Sequence, residues 1–338
     1  MQYDRIRGAD NERQTPEQAQ QTQALINCLR DYMQARDAAQ PPQRRDVHTK
    51  MLGLLRAEFT VLPDLPGDLR VGLFAQPATY RAWVRYSNSA QTIENDAKAD
   101  IRGMAIKLMG VPGTQMLQAD AATHDLLLAN APVFAPATVG GVAQLAAAVV
   151  GGLVTKISYL ITNPRVAWIL FKSMRQCANL FQERYCSCVT YAFGEQAVKY
   201  IATPRPARPG EVPATAAPGD LRRRAAQQLA QGDAVFDFCL QFQRDEASMP
   251  VDDSTREWSL ALSPPRRVAQ LRILPQVFDT PEIDTYGENL SFNPWHALPE
   301  HQPLGGIGRA RRDIYVALST FRREKNDAPL REPADWEV

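Results

Sequence analysis

The stretch YRAWVRYSNSAQTIENDAKADIRGMAIKLMG, residues 80–110, sets the architecture. Its ends, YRAWVRYSN and GMAIKLM, are rich in aromatic and β-branched residues, and polar turn formers lie between them. That pattern reads as two strands joined by a loop. The texture continues outward through RAEFTVL (56–62) and HDLLLAN (124–130), and again at 185–201, 257–262 and 267–278. No helices alternate with these strands in βα fashion, so an antiparallel sheet or barrel is expected, not a doubly wound sheet.

Helical patterns frame the strands. Residues 15–37 form a helix that Thr15 caps and Pro16 opens, with Leu25, Cys28, Leu29 and Tyr32 as an apolar stripe. Residues 139–182 read as helical with a break at Asn163-Pro164, residues 219–243 as one helix, and 307–324 as another. The fold class is α+β. Residues 1–40 read as an N-terminal helical arm and 41–330 as one domain, interrupted by a Pro/Ala-rich loop at 203–219.

The chain has 338 residues, 45% hydrophobic and 22% charged, ample for a core. Lys plus Arg number 38 against 37 Asp plus Glu, which argues against a nucleic-acid partner, since such a partner asks for a basic excess. The charged, Gln-rich start has no apolar core of a secretory signal, so a cytoplasmic protein is expected. The five cysteines lack a zinc-ligand spacing. Cys186 and Cys188 would share a face of a strand, as two thiols or as a close disulfide. Residues 131–154 are uncharged and long enough to span a bilayer, but Ala, Gly and Pro dominate them. A loop and packed helix is the expectation there, with peripheral lipid contact as the alternative.

Glycine-rich nucleotide loops, a P-loop, a zinc-protease motif and a nucleophile elbow are all missing from the sequence. His296 and His301 are five apart with Pro299 between, a poor spacing for a shared metal. His48 alone reads as a surface or core histidine, and Tyr315 alone as a core residue.

Taken together, these residues resemble the catalase family. Arg85-Tyr86-Ser87, then Asp100-Ile101-Arg102-Gly103-Met104-Ala105-Ile106-Lys107-Leu108, are similar to its Arg-Phe-Ser and Asp-Pro-Arg-Gly-Phe-Ala-Val-Lys-Phe strands. Downstream, 124–134 is similar to its Asp-Leu-Val-Gly-Asn-Asn-Thr-Pro-Ile-Phe. Arg311-Arg312-Asp313-Ile314-Tyr315, followed by Arg322, resembles its Arg-x-x-x-Tyr with a later arginine, and Leu290 to Pro294 its Leu-x-Phe-x-Pro. Separations of four and seven put 311, 315 and 322 on one helical face.

The resemblance implies a catalase-like antiparallel β-barrel with surrounding helices and a bound haem b. It implies Tyr315 as the iron ligand and His48 as distal acid–base residue, with Ser87 orienting the imidazole and Asn130 holding the peroxide. Val47 and Phe134 would line the haem, Arg45, Arg85 and Arg322 its propionates, and Arg311 would favour the Tyr315 phenolate. The chemistry suits these residue types. A phenolate stabilises oxidised iron, a nearby cation lowers a tyrosine pKa, and guanidinium binds carboxylate in charge-assisted pairs. Imidazole, with a pKa near 6.5, can take and return a proton at neutral pH.

The expected activity is reduction of hydrogen peroxide or an organic or lipid hydroperoxide through a ferryl species. Related small proteins instead rearrange fatty-acid hydroperoxides, as allene oxide synthases do. That branch tends to carry Thr before the distal histidine, so Val47 leans towards peroxidase, whereas the apolar 131–154 leans towards lipid. The chain is shorter than ordinary catalases, which leaves both a homo-oligomer and a deeply enclosed haem open.

Overall fold

The computed structural model describes residues 13–39, 41–205 and 219–338. Nine strands appear among them: β1 (Met51–Val61), β2 (Thr79–Asn88), β3 (Arg102–Met109), β4 (Thr123–Ala129), β5 (Tyr185–Cys186), β6 (Tyr191–Phe193), β7 (Gln196–Arg205), β8 (Ala234–Phe242) and β9 (Arg266–Ile273). Their order is β5-β4-β3-β2-β1-β9-β8-β7-β6, every pairing antiparallel. β5 also pairs with β7 through Tyr185↔Ala202 and Cys186↔Ile201. That closes an eight-stranded barrel, with β6 as an appendage of β7. Closure removes the unpaired edges that an open sheet would leave.

The barrel interior is filled by one row of each strand, among them Phe59, Val84, Tyr86, Met104, Ile106, Tyr200 and Phe238, all fully buried. Phe59 and Phe238 meet edge to face at 5.1 Å between ring centroids. Strand residues alternate faces, so the opposite row of β2 carries Trp83, Arg85 and Ser87. Their partners on β3 are Lys107, Ala105 and Gly103. This polar outer row of two central strands is where the candidate site is built.

Among the described residues seven α-helices lie around the barrel: α1 (Pro16–Asp37), α2 (Val139–Val150), α3 (Leu153–Thr162), α4 (Pro164–Ser173), α5 (Asp220–Gln231), α6 (Pro281–Asn289) and α7 (Gly305–Lys325). α1 begins with a complete capping box between Thr15 and Gln18. Its Leu25, Leu29 and Met33 pack on Leu318 of α7, with Val142, Ala143 and Ala146 of α2 alongside.

Four expectations need correction. Residues 139–182 are helical only as far as Ser173, with a second break at Gly151-Gly152. Residues 219–243 are not one helix. Gly232 ends α5, and AVFDFCLQF, whose Phe236, Phe238 and Leu240 alternate into the barrel, forms β8. Residues 257–262 are irregular chain and turn, not a strand, with Trp258 buried against Ala192, Ala197, Met249 and Leu304 and Arg256 N–H bonded to the Asp253 carbonyl. α6 follows a capping Thr280 and an opening Pro281 that the sequence reading passed over. The Pro/Ala-rich loop starts later than expected, since β7 runs to Arg205, and its residues 206–218 lie outside the described residues. Cys186 and Cys188 are free thiols. Among the described residues no helix is long and apolar enough to cross a membrane.

Candidate functional site

His48 stands on the segment that leads into β1, against the outer row of β2 and β3. Its backbone lies in the left-handed region, at φ 57°, a conformation that costs a non-glycine residue energy and needs outside support. That support comes from its N–H, bonded to the Ser89 carbonyl at 3.3 Å, and from Arg85, which donates to its carbonyl at 3.1 Å. The ring Nδ1 lies 3.0 Å from Ser87 Oγ. Gly103, the register partner of Ser87, leaves room for the ring, because a Cβ there would approach Nδ1 to 2.7 Å.

Burial, then Arg85, Arg45 and Arg311, push the His48 pKa down to about 3. The imidazole is therefore neutral at physiological pH. Three of the residues expected around one cofactor thus act on one ring.

The arginines converge on an acid that the sequence reading missed. Glu288, near the end of α6, pairs with Arg45 at 3.0 Å and Arg85 at 3.4 Å. Arg45 also donates to the Leu290 carbonyl at 2.5 Å and the Gly287 carbonyl at 3.2 Å. Arg322 of α7 is buried beside them, and its Nε and Nη2 have no hydrogen-bond partner among the described residues. Burial would raise the Glu288 carboxyl, but Arg85, Arg45 and Arg322 hold it below its usual range. Asp46, which burial pushes up towards its neutral form, is also near Arg322. Among the described residues these three guanidiniums face two carboxyls, Glu288 and Asp46, so the cluster keeps a positive surplus.

On α7, Arg311 and Tyr315 lie one turn apart, and Arg311 Nη2 donates to the Tyr315 hydroxyl at 3.2 Å. The Arg311 guanidinium also sits 5.2 Å from the Tyr315 ring centroid. Burial would lower the Arg311 pKa, but Tyr315 and the Tyr191 hydroxyl raise it. Arg311 is the residue that joins this face of α7 to His48, whose imidazole it helps depress.

Asn130 follows β4 and is buried, its side chain already engaged. Its Oδ1 accepts from the Arg102 N–H at 2.7 Å, and its Nδ2 donates to Glu183 at 3.0 Å. Arg175 completes this group, at 2.9 Å from the Asn130 carbonyl and 2.7 Å from Glu183. Val47 is exposed beside His48. Phe134 is equally exposed and lies farther along, its main chain bonded to Ser254. Glu288, Glu183 and Gly103 are the additions to the expected set. Only Gly103 had a signal in the sequence, through its place in the 100–108 stretch.

His296 and His301 do not share a site. His296 lies by Asp125 at 3.3 Å, whereas His301 Nε2 accepts from the Leu73 N–H at 2.9 Å.

A scan against protein-family models finds no match, and a search of curated proteins finds no relative. Solved structures do match. The chain is similar to a fungal catalase, with a TM-score of 0.68 and 17% identity over 85% of this chain and 61% of that one. It is similar to a bacterial catalase at 0.65 and 15%, over 86% and 59%. Catalase A from Saccharomyces cerevisiae aligns at 0.65 and 15%, over 86% and 62%. The fold is therefore the catalase barrel with its helices. The match spans about three fifths of the length of those catalases.

Proposed function

We propose that this chain binds haem b between His48 and Tyr315 and reduces hydroperoxides with it. The observation that carries the reading is the convergence on α7. One helical face carries Arg311, hydrogen-bonded to Tyr315 and acting on His48, and Arg322, which lies in the field of Arg45 and Arg85. The residues fit the group. Arg322 has unpartnered, buried guanidinium donors and the arginine cluster keeps a positive surplus, as two propionates would require. Glu288 is a competing carboxylate, so the propionates would share these arginines with it.

Haem supplies the redox chemistry of peroxide cleavage when bound. The chain's own part is positional. Tyr315 would ligate the iron, with Arg311 donating to its oxygen. His48, neutral and fixed through Ser87 Oγ and Gly103, would accept the peroxide proton at Nε2 and return it to the departing oxygen. Asn130 has one amide hydrogen committed to Glu183 and a second to offer the substrate.

A second reading keeps the pocket and changes the outcome, to rearrangement of fatty-acid hydroperoxides. It is favoured by the apolar α3–α4 pair, whose end leads through Arg175 to the Asn130 carbonyl.

Titration of the purified chain with haemin tests the reading. A saturable Soret band at one haem per chain is expected, and Tyr315→Phe should change the ferric spectrum or weaken retention. No band, or an identical spectrum in the variant, would overturn it. Comparing hydrogen peroxide with linoleate hydroperoxide, with oxygen and products both followed, separates the two outcomes.

A further inference from the structure

We infer that the α3–α4 pair seats this protein on an anionic lipid surface, as a monotopic contact independent of any cofactor. Neither helix contributes to the core. α3 buries no residue and α4 only Ser173, although both are made largely of big apolar side chains. Leu153, Val154, Ile161 and Phe171 are each more than 70% exposed, and Ile157, Trp168 and Met174 are exposed beside them. Val154, Ile157 and Ile161, at spacings of three and four, share one side of α3. Trp168 and Phe171 stack on α4, with ring centroids 6.1 Å apart. A single exposed leucine means nothing, but a run of seven large apolar side chains over two consecutive helices marks an interaction surface.

Charge identifies the partner. From Asp125 to Glu183 the chain has no acidic residue between, and four basic ones: Lys156, Arg165, Lys172 and Arg175. Arg165 pairs with Asp253, and Arg175 with Glu183. Lys156 and Lys172 remain on these helices without an ion pair among the described residues. The Lys172 ammonium lies 5.7 Å from the Trp168 ring centroid. An aromatic ring with a neighbouring lysine suits the boundary between acyl chains and anionic headgroups, where the ring is half immersed and the amine stays in the headgroup layer. A second copy of the chain fits less well, because a two-fold contact through this face would gather four such lysines with no acidic residue from either copy's 126–182 stretch. The helices are too short to span, so the contact is with one leaflet. The apolar 131–154 segment is only partly responsible, since α2 is packed against α1 and the exposed surface begins at Leu153.

Co-sedimentation of the full chain with phosphatidylcholine vesicles, with and without phosphatidylglycerol, tests the inference. Binding is expected with phosphatidylglycerol and much less without it. Lys156→Gln with Lys172→Gln should weaken it by about twenty-fivefold, each cation near an anionic surface giving roughly fivefold. Trp168→Glu with Phe171→Glu should abolish it, and both side chains are exposed, so the fold is retained. Trp emission should shift to the blue on binding, and Trp168→Phe should remove the shift. Failure of the unaltered chain to bind phosphatidylglycerol vesicles would overturn the inference. So would self-association that Trp168→Glu with Phe171→Glu dissolves while no lipid binding is seen. Neither result bears on haem.

Discussion

A Cβ on Gly103 would stand 2.7 Å from both Nδ1 and Cε1 of His48, so the imidazole rests directly on the main chain of β3. The ring is held from beneath by the missing side chain and from its edge by Ser87. Gly103→Ala is expected to displace the imidazole. With haemin bound, its reaction with peroxide should slow by about a hundredfold, within the range a positioned acid–base group supplies. Its Soret absorbance should stay close to that of the parent. Stopped-flow mixing checks both. An unchanged rate would remove His48 from the chemistry.

Glu288 ties together Arg45 and Arg85 and lies under the field of Arg322. Glu288→Gln leaves three guanidiniums crowded without their main counter-charge. Removing one partner of a fully buried pair costs about 3–5 kcal/mol. Glu288 retains some solvent contact, so roughly 2 kcal/mol is expected here. Urea unfolding of the haem-free chain measures it. If the arginines receive propionates, haemin should restore more stability to Glu288→Gln than it adds to the parent. An equal gain in both would separate this cluster from the cofactor.

The pH dependence of stability has a definite sign. Burial pushes His124 down to about 3, with His301 adding to it, and pushes His301 down to about 4. Below pH 6.5 the unfolded chain binds these protons and the folded chain does not, so stability is complete above 6.5 and falls as the pH drops towards 4. At pH 5 each ring should cost about 2 kcal/mol relative to pH 7.5. Thermal unfolding should show a lower Tm at pH 5 than at pH 7.5. A Tm flat across that window would show that one or both rings take up a proton in the folded state.

The outer row of β2 and β3 was legible through the resemblance of 85–87 and 100–108 to catalase strands, and alternation then puts Arg85 and Ser87 on one face and Gly103 and Lys107 on one face of the next strand. The helical spacing of Arg311, Tyr315 and Arg322 was legible for the same kind of reason. Glu288 was not, since nothing local to Tyr-Gly-Glu-Asn says that three distant arginines will meet there. β8 was obscured because Ala and Gln residues before Gly232 extend a helical pattern into Ala234–Phe242, where alternation of phenylalanines is the stronger signal. The exposure of α3 and α4 could not be read either. An apolar helix looks the same whether it packs on the barrel or faces outward.

Lys107 faces away from the barrel core on the same row as Ser87, fully buried, and its charge depends on the chain's last residues. Its ammonium lies 2.8 Å from Asp125 and 2.6 Å from Glu332. Burial would lower its pKa, but these two carboxylates raise it. Thr123 donates to Glu332 at 2.8 Å, and nearby Trp336 donates to the Ala82 carbonyl at 3.0 Å, pinning the tail across β2 to β4. Glu332→Gln leaves a buried ammonium with one counter-charge in place of two, and about 3 kcal/mol of stability should be lost. Glu337→Gln, on the same tail but exposed, should change stability by no more than roughly 0.5 kcal/mol. Chemical denaturation of both variants distinguishes a buried ionic latch from a loosely held terminus, and equal effects would rule out the latch.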